Sequence, residues 1–242
     1  ASTDGRNWSD PADVVSASGA RVDGVFEQDP RALNDGRIIG AFHLQPGLIV
    51  SPSYTDSPLG VSGWFRGDMP NLPHDDLDSS RELEPSSFVR GDGAIVMIFR
   101  DQASSFRKLA SVSCDRGESW TQPVVTDMPD ARTKQSAGNL PDGAAYMVGN
   151  PVPRRDRFPL VLVLSKNGRH FDRAFLLRDG NEDLQPLRYP GRYKRAGYSY
   201  PKSVVWKGHL YVAYATNKED VEITRVPLRS LGHQATANAN EH

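Results

Sequence analysis

The sequence has very little cysteine and no long apolar segment, and these absences exclude several classes of protein. Its single cysteine, Cys114, rules out an internal disulfide framework and a cysteine-based metal cluster. No apolar run approaches the roughly 20 residues that a membrane-spanning helix needs, and the first residues lack the charged start and apolar core of a signal peptide. We therefore predict no membrane partner, while the compartment stays open.

An excess of charge of either sign is also missing. The 29 basic and 30 acidic residues leave a net charge of -1, so the composition carries no footprint of a nucleic-acid-binding protein. No triplet of histidines or carboxylates has convincing metal-ligand spacing, and no glycine-rich loop is suited to phosphate. We predict no metal, cofactor or nucleic-acid partner, and a charged ligand would have to be recognised by local groups.

Turn-forming residues are abundant, with 21 glycines and 18 prolines, and the apolar segments between them are short, which is typical of an all-β fold. Four tight-turn dipeptides interrupt apolar stretches and predict β-hairpins, because glycine adopts the positive φ that other residues resist. Their glycines lie 57, 50 and 65 residues apart, a loose period near that of a four-stranded propeller blade. The dipeptides are Asp35-Gly36, Asp92-Gly93, Asp142-Gly143 and Lys207-Gly208.

A second marker, a Ser-x-Asp-x-Gly-x-x-Trp turn, follows two of the hairpins in phase. The complete form runs from Ser113 to Trp120 and begins 20 residues after Gly93, and a shortened form at 165–171 begins 22 residues after Gly143. Another shortened form occupies residues 2–8, and TDSPLGVSGW after the first hairpin has the same residue types at stretched spacing. Each predicts a turn in which the Asp or Asn oxygen accepts backbone hydrogen bonds and the ring packs back on the blade, so these residues stabilise and do not catalyse.

Three segments resemble one family of proteins. EPSSFVRGDGAIVMIFR with SVSCDRGESW, then QSAGNLPDGAAYMVGNP with VLVLSKNG, and then AGYSYPKSVVWKGHLYVAYATN are similar to consecutive blades of the sialidase superfamily, also called the BNR or Asp-box repeat family. The resemblance covers roughly residues 84–228. It implies a β-propeller, which has six blades in the family and about four in this chain. It also implies a secreted or periplasmic location.

On this basis we predict a single partial propeller domain over residues 1–242. Residues 1–30 would end a preceding blade, and residues 231–242 would be a tail. The blades between them would be 31–83 with a long inserted loop, 84–125 with the full Asp box, 126–180 with the degenerate box, and 181–230. The first and last blades of such a partial propeller would expose sheet edges and apolar faces. We therefore expect a partner to cover them, either the missing N-terminal blades or another chain.

The hairpins also predict where polar side chains gather. Glu84 and Arg100 lie symmetrically about the turn at residue 92, so both should lie at the open end of one hairpin, which we call the mouth. Tyr198 precedes a strand on the mouth side, although the sequence does not decide whether its ring or that of Tyr200 faces the mouth. Arg157 follows another strand there, in the same loop as two further arginines, Arg154 and Arg155.

Guanidinium groups bind carboxylates bidentately, so these residues indicate an acidic sugar or glycan as the ligand. The resemblance implies that Tyr198 is a catalytic nucleophile, that Glu84 is its base, and that Arg100 and Arg157 are two of three arginines that bind the sugar carboxylate. Sialidases are known for a tyrosine nucleophile. The third arginine and the aspartate that serves as general acid belong to the family's opening blade, for which we find no counterpart here.

Residues 43–80 lack a clear hairpin rhythm, and we interpret them as an inserted loop over the mouth. Trp64 could stack on a sugar ring there, and His43 follows a strand on the mouth side and could contact substrate or act as a base. Three functions remain open. These are a retaining sialidase-like hydrolase of a terminal acidic sugar, a polysaccharide lyase of uronic-acid glycans in which His43 or a tyrosine removes a proton, and a non-catalytic carbohydrate-binding propeller.

Overall fold

The computed structural model describes residues 2–26, 30–74, 79–103, 105–182 and 184–232. Within these ranges the chain forms β-strands and one short 3-10 helix at Leu228–Leu231. The all-β prediction is therefore confirmed. In chain order the strands are β1 Val25–Phe26, β2 Arg31–Ala32, β3 Ile38–Leu44, β4 Ile49–Thr55, β5 Phe65–Arg66, β6 Glu82–Val89, β7 Ile95–Asp101, β8 Arg107–Ser113, β9 Val124–Pro129, β10 Ser136–Asn139, β11 Ala145–Gly149, β12 Leu160–Ser165, β13 Arg173–Arg178, β14 Tyr198–Trp206, β15 His209–Thr216 and β16 Asp220–Pro227.

The strands form four antiparallel sheets, which are four blades of a propeller. The first blade is β1-β3-β4-β5 with β2 also paired to β3, the second is β6 to β9, the third is β10 to β13 and the fourth is β14 to β16. In the second, third and fourth blades a predicted hairpin joins the first two strands, and in the first blade Asp35-Gly36 joins the short strand β2 to β3. The hairpin glycines have positive φ, from 73° at Gly208 to 91° at Gly36. The prediction of a β-propeller is thus confirmed.

Alternating side chains of each central strand pack against different neighbouring blades. Ile95, Met97 and Phe99 of β7 join an apolar cluster with the first blade, whereas Val96 and Ile98 join a cluster with the third blade. Because successive residues of a strand point to opposite faces, a strand between two blades is apolar on both faces. This explains why AIVMIFR is a continuous apolar run. A third cluster joins the third and fourth blades.

All blades run in the same direction, which gives the molecule two distinct ends. The first long strand of the second, third and fourth blades runs from the mouth to the hairpin turn, and the second strand returns to the mouth. The described residues of the loops 102–106, 130–135, 150–159 and 179–197 therefore lie at the mouth. The Asp boxes follow strands that run away from it, and so they lie at the far end.

The predicted Asp-box turns form with the expected hydrogen bonds. The serine hydroxyl accepts the glycine N–H at 2.8 Å in the first box, 2.8 Å in the complete box and 2.9 Å in the third. Asp115 accepts the N–H of Ser119 at 2.9 Å, and Asn167 accepts the N–H of Arg169 at 2.8 Å in the same way. The stretched motif closes similarly, because Trp64 Nε1 donates to the Gly60 carbonyl at 2.7 Å as Trp120 Nε1 does to Gly117 at 3.0 Å.

We expect Asp115→Ala to lower the free energy of unfolding by about 1–2 kcal/mol, because the N–H of Ser119 and the hydroxyl of Ser113 lose their acceptor. Asp115→Asn is the matched control and should cost less than half as much, since Asn167 fills the same position in the third blade. Urea unfolding with an unchanged m-value measures both changes. Equal stability of the alanine variant and the parent would contradict this account of the box.

One face of the fourth blade is apolar and exposed. It is the face turned away from the third blade, and four of its large side chains are between 55% and 79% exposed, namely Val204, Trp206, Val221 and Ile223. An uncovered sheet face of this kind suits contact with another protein surface. That a partner covers it stays a prediction.

Candidate active site

Glu84 and Arg100 meet at the mouth of the second blade, as the hairpin count predicts. The register places Leu83 opposite Arg100 and Ser86 opposite Ile98, so Glu84 and Pro85 lie together in a bulge. Arg100 Nη1 donates to Glu84 Oε2 at 3.2 Å, and Arg100 Nη2 donates to Gln102 Oε1 at 2.6 Å. The guanidinium is thus held beside the carboxylate at the rim of the blade.

The backbone of Glu84 is fixed from both neighbouring blades. Its φ is +54°, a left-handed conformation that costs a side-chain-bearing residue about 1–3 kcal/mol. The N–H donates to His43 Nε2 at 3.0 Å in the first blade, and the carbonyl accepts from Gln135 Nε2 at 2.9 Å in the third. A residue whose strained backbone is held by hydrogen bonds on both sides is typical of a functional position.

The prediction that His43 contacts substrate disagrees with its placement. The residue is 1% exposed, and its Nε2 is occupied by the Glu84 N–H. A buried imidazole that accepts this bond positions the carboxylate and does not reach a ligand at the mouth. It is likewise badly placed to act as the base of a lyase.

Trp64 is also buried and not at the mouth. Its ring is 4% exposed and packs edge-on against Phe26 at 5.9 Å and Phe42 at 5.6 Å between ring centroids. It closes the stretched turn at the far end of the first blade, so the prediction that it stacks on a sugar is wrong. The sequence already held the correct signal, since the motif around Trp64 matched the box residues.

Arg157 is the buried arginine among the three of its loop. It is 8% exposed, and its Nε and Nη1 have no hydrogen-bond partner within the described part of the chain. Burial lowers its pKa, whereas nearby Tyr200 opposes that shift. Arg154, by contrast, is exposed and pairs with Asp156. A buried guanidinium with unused donors is costly unless an anion completes it, which makes Arg157 a candidate binding group.

The two tyrosines of β14 face different surroundings. Tyr198 is 2% exposed and packs edge-on against Tyr214 at 5.6 Å in the core between the third and fourth blades. Tyr200 is 37% exposed, and the Arg157 guanidinium lies 5.6 Å from its ring centroid. Of the two rings that the sequence left open, that of Tyr200 is therefore the one near the mouth, whereas the catalytic role that the resemblance implies for Tyr198 stays a prediction.

A β-bulge explains why Tyr200 turns toward the mouth. The register between β14 and β15 shifts between Ser199 and Lys202, and Tyr200 has φ of +54°. The same device, a bulge with a left-handed residue, presents Glu84 in the second blade. Bulges re-aim side chains next to functional sites. The sequence contains no glycine or other signal that would reveal this bulge.

A buried ion pair supports the site from below. Lys108 Nζ lies 2.7 Å from Asp130 Oδ1 and donates to the Thr133 carbonyl at 2.6 Å and to Gln135 Oε1 at 2.7 Å. Burial lowers the pKa of Lys108, while Asp130 opposes that shift. The pair therefore fixes the mouth loop that carries Gln135, which in turn holds Glu84. Sequence reasoning missed Lys108 and Gln135 because their partners are distant along the chain.

The mouth is rich in positive charge. Burial is the largest cause that lowers the pKa of Arg132, and the nearby cations Arg155, Arg100 and Arg195 lower it further.

Within the described residues, no group of three His, Cys, Asp or Glu side chains is placed to hold a metal ion. No helix in the described ranges is long and apolar enough to span a membrane. The candidate site thus combines the guanidinium groups of Arg100 and Arg157 with the Glu84 carboxylate and the Tyr200 ring.

Comparison with known proteins identifies the class. Solved structures of similar fold include a protein of unknown function from Dyadobacter fermentans DSM 18053, with 18% identity, a TM-score of 0.64 and coverage of 93% of this chain and 61% of that one. The intramolecular trans-sialidase from Ruminococcus gnavus has 16% identity, a TM-score of 0.57 and coverage of 85% and 44%. The exo-β-1,3-galactanase 1,3Gal43A from Clostridium thermocellum has 12% identity, a TM-score of 0.60 and coverage of 88% and 48%.

The fold is therefore that of the sialidase propellers, and the chain spans less than two thirds of each of these proteins. The model of the BNR repeat-like domain matches residues 1–212. The chain belongs to this BNR repeat-like family. Among curated proteins no match was found.

Proposed function

We propose that the protein is a sialidase-like glycoside hydrolase that acts on a terminal acidic sugar with retention of configuration. The observation that carries the proposal is the buried Arg157 guanidinium, which has two unused donor nitrogens beside Tyr200 at the mouth. A sugar carboxylate would satisfy these donors and offset the cost of the buried charge. The similarity of the fold to a trans-sialidase supports the choice of an acidic sugar.

In the proposed mechanism Arg157 and Arg100 bind the carboxylate, and Tyr200 is the nucleophile. Its Oη forms a bond to the anomeric carbon while its proton passes to the Glu84 carboxylate, and the glycosidic bond breaks toward the leaving oxygen, which takes up a proton from solvent. Water then attacks the anomeric carbon and releases a proton to solvent, while the bond to Tyr200 Oη breaks and Glu84 returns its proton to that oxygen. Two inversions give overall retention. A neutral phenol avoids placing an anionic nucleophile against the substrate carboxylate.

We assign this role to Tyr200 and not to Tyr198 because the ring of Tyr198 is enclosed in the core. Glu84 is the base in the proposal because its carboxylate is fixed at the mouth by Arg100 and by its own backbone hydrogen bonds. Arg100 has two functions here, since it contacts Glu84 and contributes positive charge toward the ligand.

Product analysis distinguishes the proposed hydrolase from the two alternatives. We expect sialosides incubated with the protein to release a free acidic sugar, and the first product seen by proton NMR should keep the anomeric configuration of the substrate. A new unsaturated uronide absorbing in the ultraviolet, formed from uronic-acid glycans, would instead indicate a lyase. Binding that persists without any turnover would indicate a carbohydrate-binding module. Release of the inverted anomer would contradict the proposed covalent step.

A further inference from the structure

A loop beside the candidate site has an unusual composition. Residues 186–195, with the sequence PLRYPGRYKR, contain four basic residues and two tyrosines and no acidic residue, although the whole chain has a net charge of -1. We call this segment the aromatic loop. It joins the end of β13 to the start of β14, both of which lie at the mouth. Four of the 29 basic residues of the chain therefore lie within these ten residues beside the site.

The aromatic loop is fastened to the turn between β15 and β16. The Glu219 carboxylate accepts the N–H of Arg188 at 3.0 Å, the N–H of Tyr189 at 2.9 Å and the Lys194 ammonium at 2.6 Å. Arg188 also donates to Asp220 at 2.6 Å. These bonds, the one from Lys194 first, lower the pKa of Glu219 to about 2. The loop therefore holds its shape before any ligand arrives, which reduces the entropic cost of binding.

Both tyrosine rings of the loop are exposed. Tyr189 is 63% and Tyr193 is 70% exposed, so neither ring serves the core. A cation lies near each ring, with Lys194 Nζ 5.2 Å from the centroid of Tyr189 and the Arg192 guanidinium 5.2 Å from that of Tyr193. Exposed rings beside guanidinium and ammonium groups offer an apolar surface for a sugar ring next to donors for its carboxylate.

Cations connect the aromatic loop to the candidate site. Lys218 belongs to the turn that holds the loop, and its Nζ lies 5.1 Å from the ring centroid of Tyr200. The Arg157 guanidinium of the candidate site lies 5.6 Å from the same centroid. Arg195 of the loop is close enough to affect the titration of both Arg157 and Arg132. A ligand bound by Arg157 that extends toward the loop would therefore meet the cations Lys218 and Arg195.

We infer that the aromatic loop binds the continuing part of an acidic oligosaccharide whose terminal sugar occupies the site at Arg157. This inference rests on the proposed function and deepens it, because it identifies the substrate class as a glycan chain with more than one anionic sugar. The two tyrosines contact sugar rings, and Arg192 and Arg195 pair with the carboxylates of successive sugars. Binding strength then depends on chain length and on ionic strength.

Isothermal titration calorimetry with N-acetylneuraminic acid and its α2,8-linked hexamer tests the inference on the full chain. We expect the hexamer to bind about 30-fold more tightly than the monomer at low salt, and the advantage to shrink as salt is added. Tyr189→Ala/Tyr193→Ala and Arg192→Gln should each remove most of the advantage and leave monomer binding unchanged. Lys166→Gln removes an exposed charge at the far end and serves as the matched control.

The outcomes separate this inference from the proposed function. Equal affinity for monomer and hexamer in the parent protein, or an advantage that survives in both loop variants, would overturn the inference while the terminal site stands. Hexamer binding that is lost in the loop variants, with no monomer binding at all, would support the loop and refute the terminal site. Absence of binding to either sugar would overturn both.

Discussion

Replacing Tyr200 with phenylalanine should abolish covalent labelling of the protein by 2,3-difluoro-N-acetylneuraminic acid. The change removes only the phenolic oxygen that we propose as the nucleophile, and the exposed position of the ring leaves no buried donor behind. Fluoride departs without a proton, so labelling reports on the nucleophile and does not depend on a general acid. Mass spectrometry of the intact protein and of its peptides measures the extent and the position of labelling.

Tyr198→Phe is the matched control, because it makes the same chemical change two residues away in the core. We expect this variant to be labelled on Tyr200 at the parent's rate, with at most a modest loss of stability from the missing buried hydroxyl. Loss of labelling in the folded Tyr198→Phe variant, with labelling retained in Tyr200→Phe, would reverse our assignment and restore the one that family resemblance implies. Circular dichroism of both variants establishes that they are folded.

The features that the sequence predicted well are those with local causes. A hairpin turn needs a glycine at a fixed place, and an Asp box needs its serine, acid and glycine within a few residues, so both can be recognised without knowledge of the fold. The pairing of Glu84 with Arg100 followed from counting outward from one such turn, and the structure gives the contact at 3.2 Å. The blades and one half of the candidate site were therefore accessible from local pattern alone.

The features that the sequence missed depend on contacts between blades or on irregular backbone. Simple alternation gives Tyr198 and Tyr200 the same direction, and only the bulge after Ser199 separates them. His43 lies within β3 near the mouth, where it is buried and its Nε2 accepts the N–H of Glu84, 41 residues later. Gln135 bonds to Glu84 across 51 residues in the same way. Spacing within one blade carries no information about such partners.

Arg157→Gln should weaken binding of N-acetylneuraminic acid by about 100-fold, because a charged bidentate donor contributes about 1.5–3 kcal/mol for each hydrogen bond and a neutral amide cannot replace the pair. Arg157→Lys should recover only part of that loss, since an ammonium group keeps the charge but not the planar fork. The methyl ester of the sugar has no anionic carboxylate, so its weaker affinity should be nearly the same in the parent and in both variants. Calorimetric titration measures each affinity.

Arg154→Gln provides the matched control, since Arg154 lies three residues earlier in the same loop but is exposed and paired with Asp156. It should bind the sugar as the parent does.

Arg157→Gln should also change the stability of the ligand-free protein. It removes a buried charge with unused donors, so its unfolding temperature without ligand should equal or exceed that of the parent. In saturating sugar the order should reverse, because the ligand stabilises only a protein that binds it. A variant that loses stability in the free protein and keeps its affinity would mean that Arg157 is structural, and the carboxylate site would then have to be built on Arg100 and the neighbouring cations.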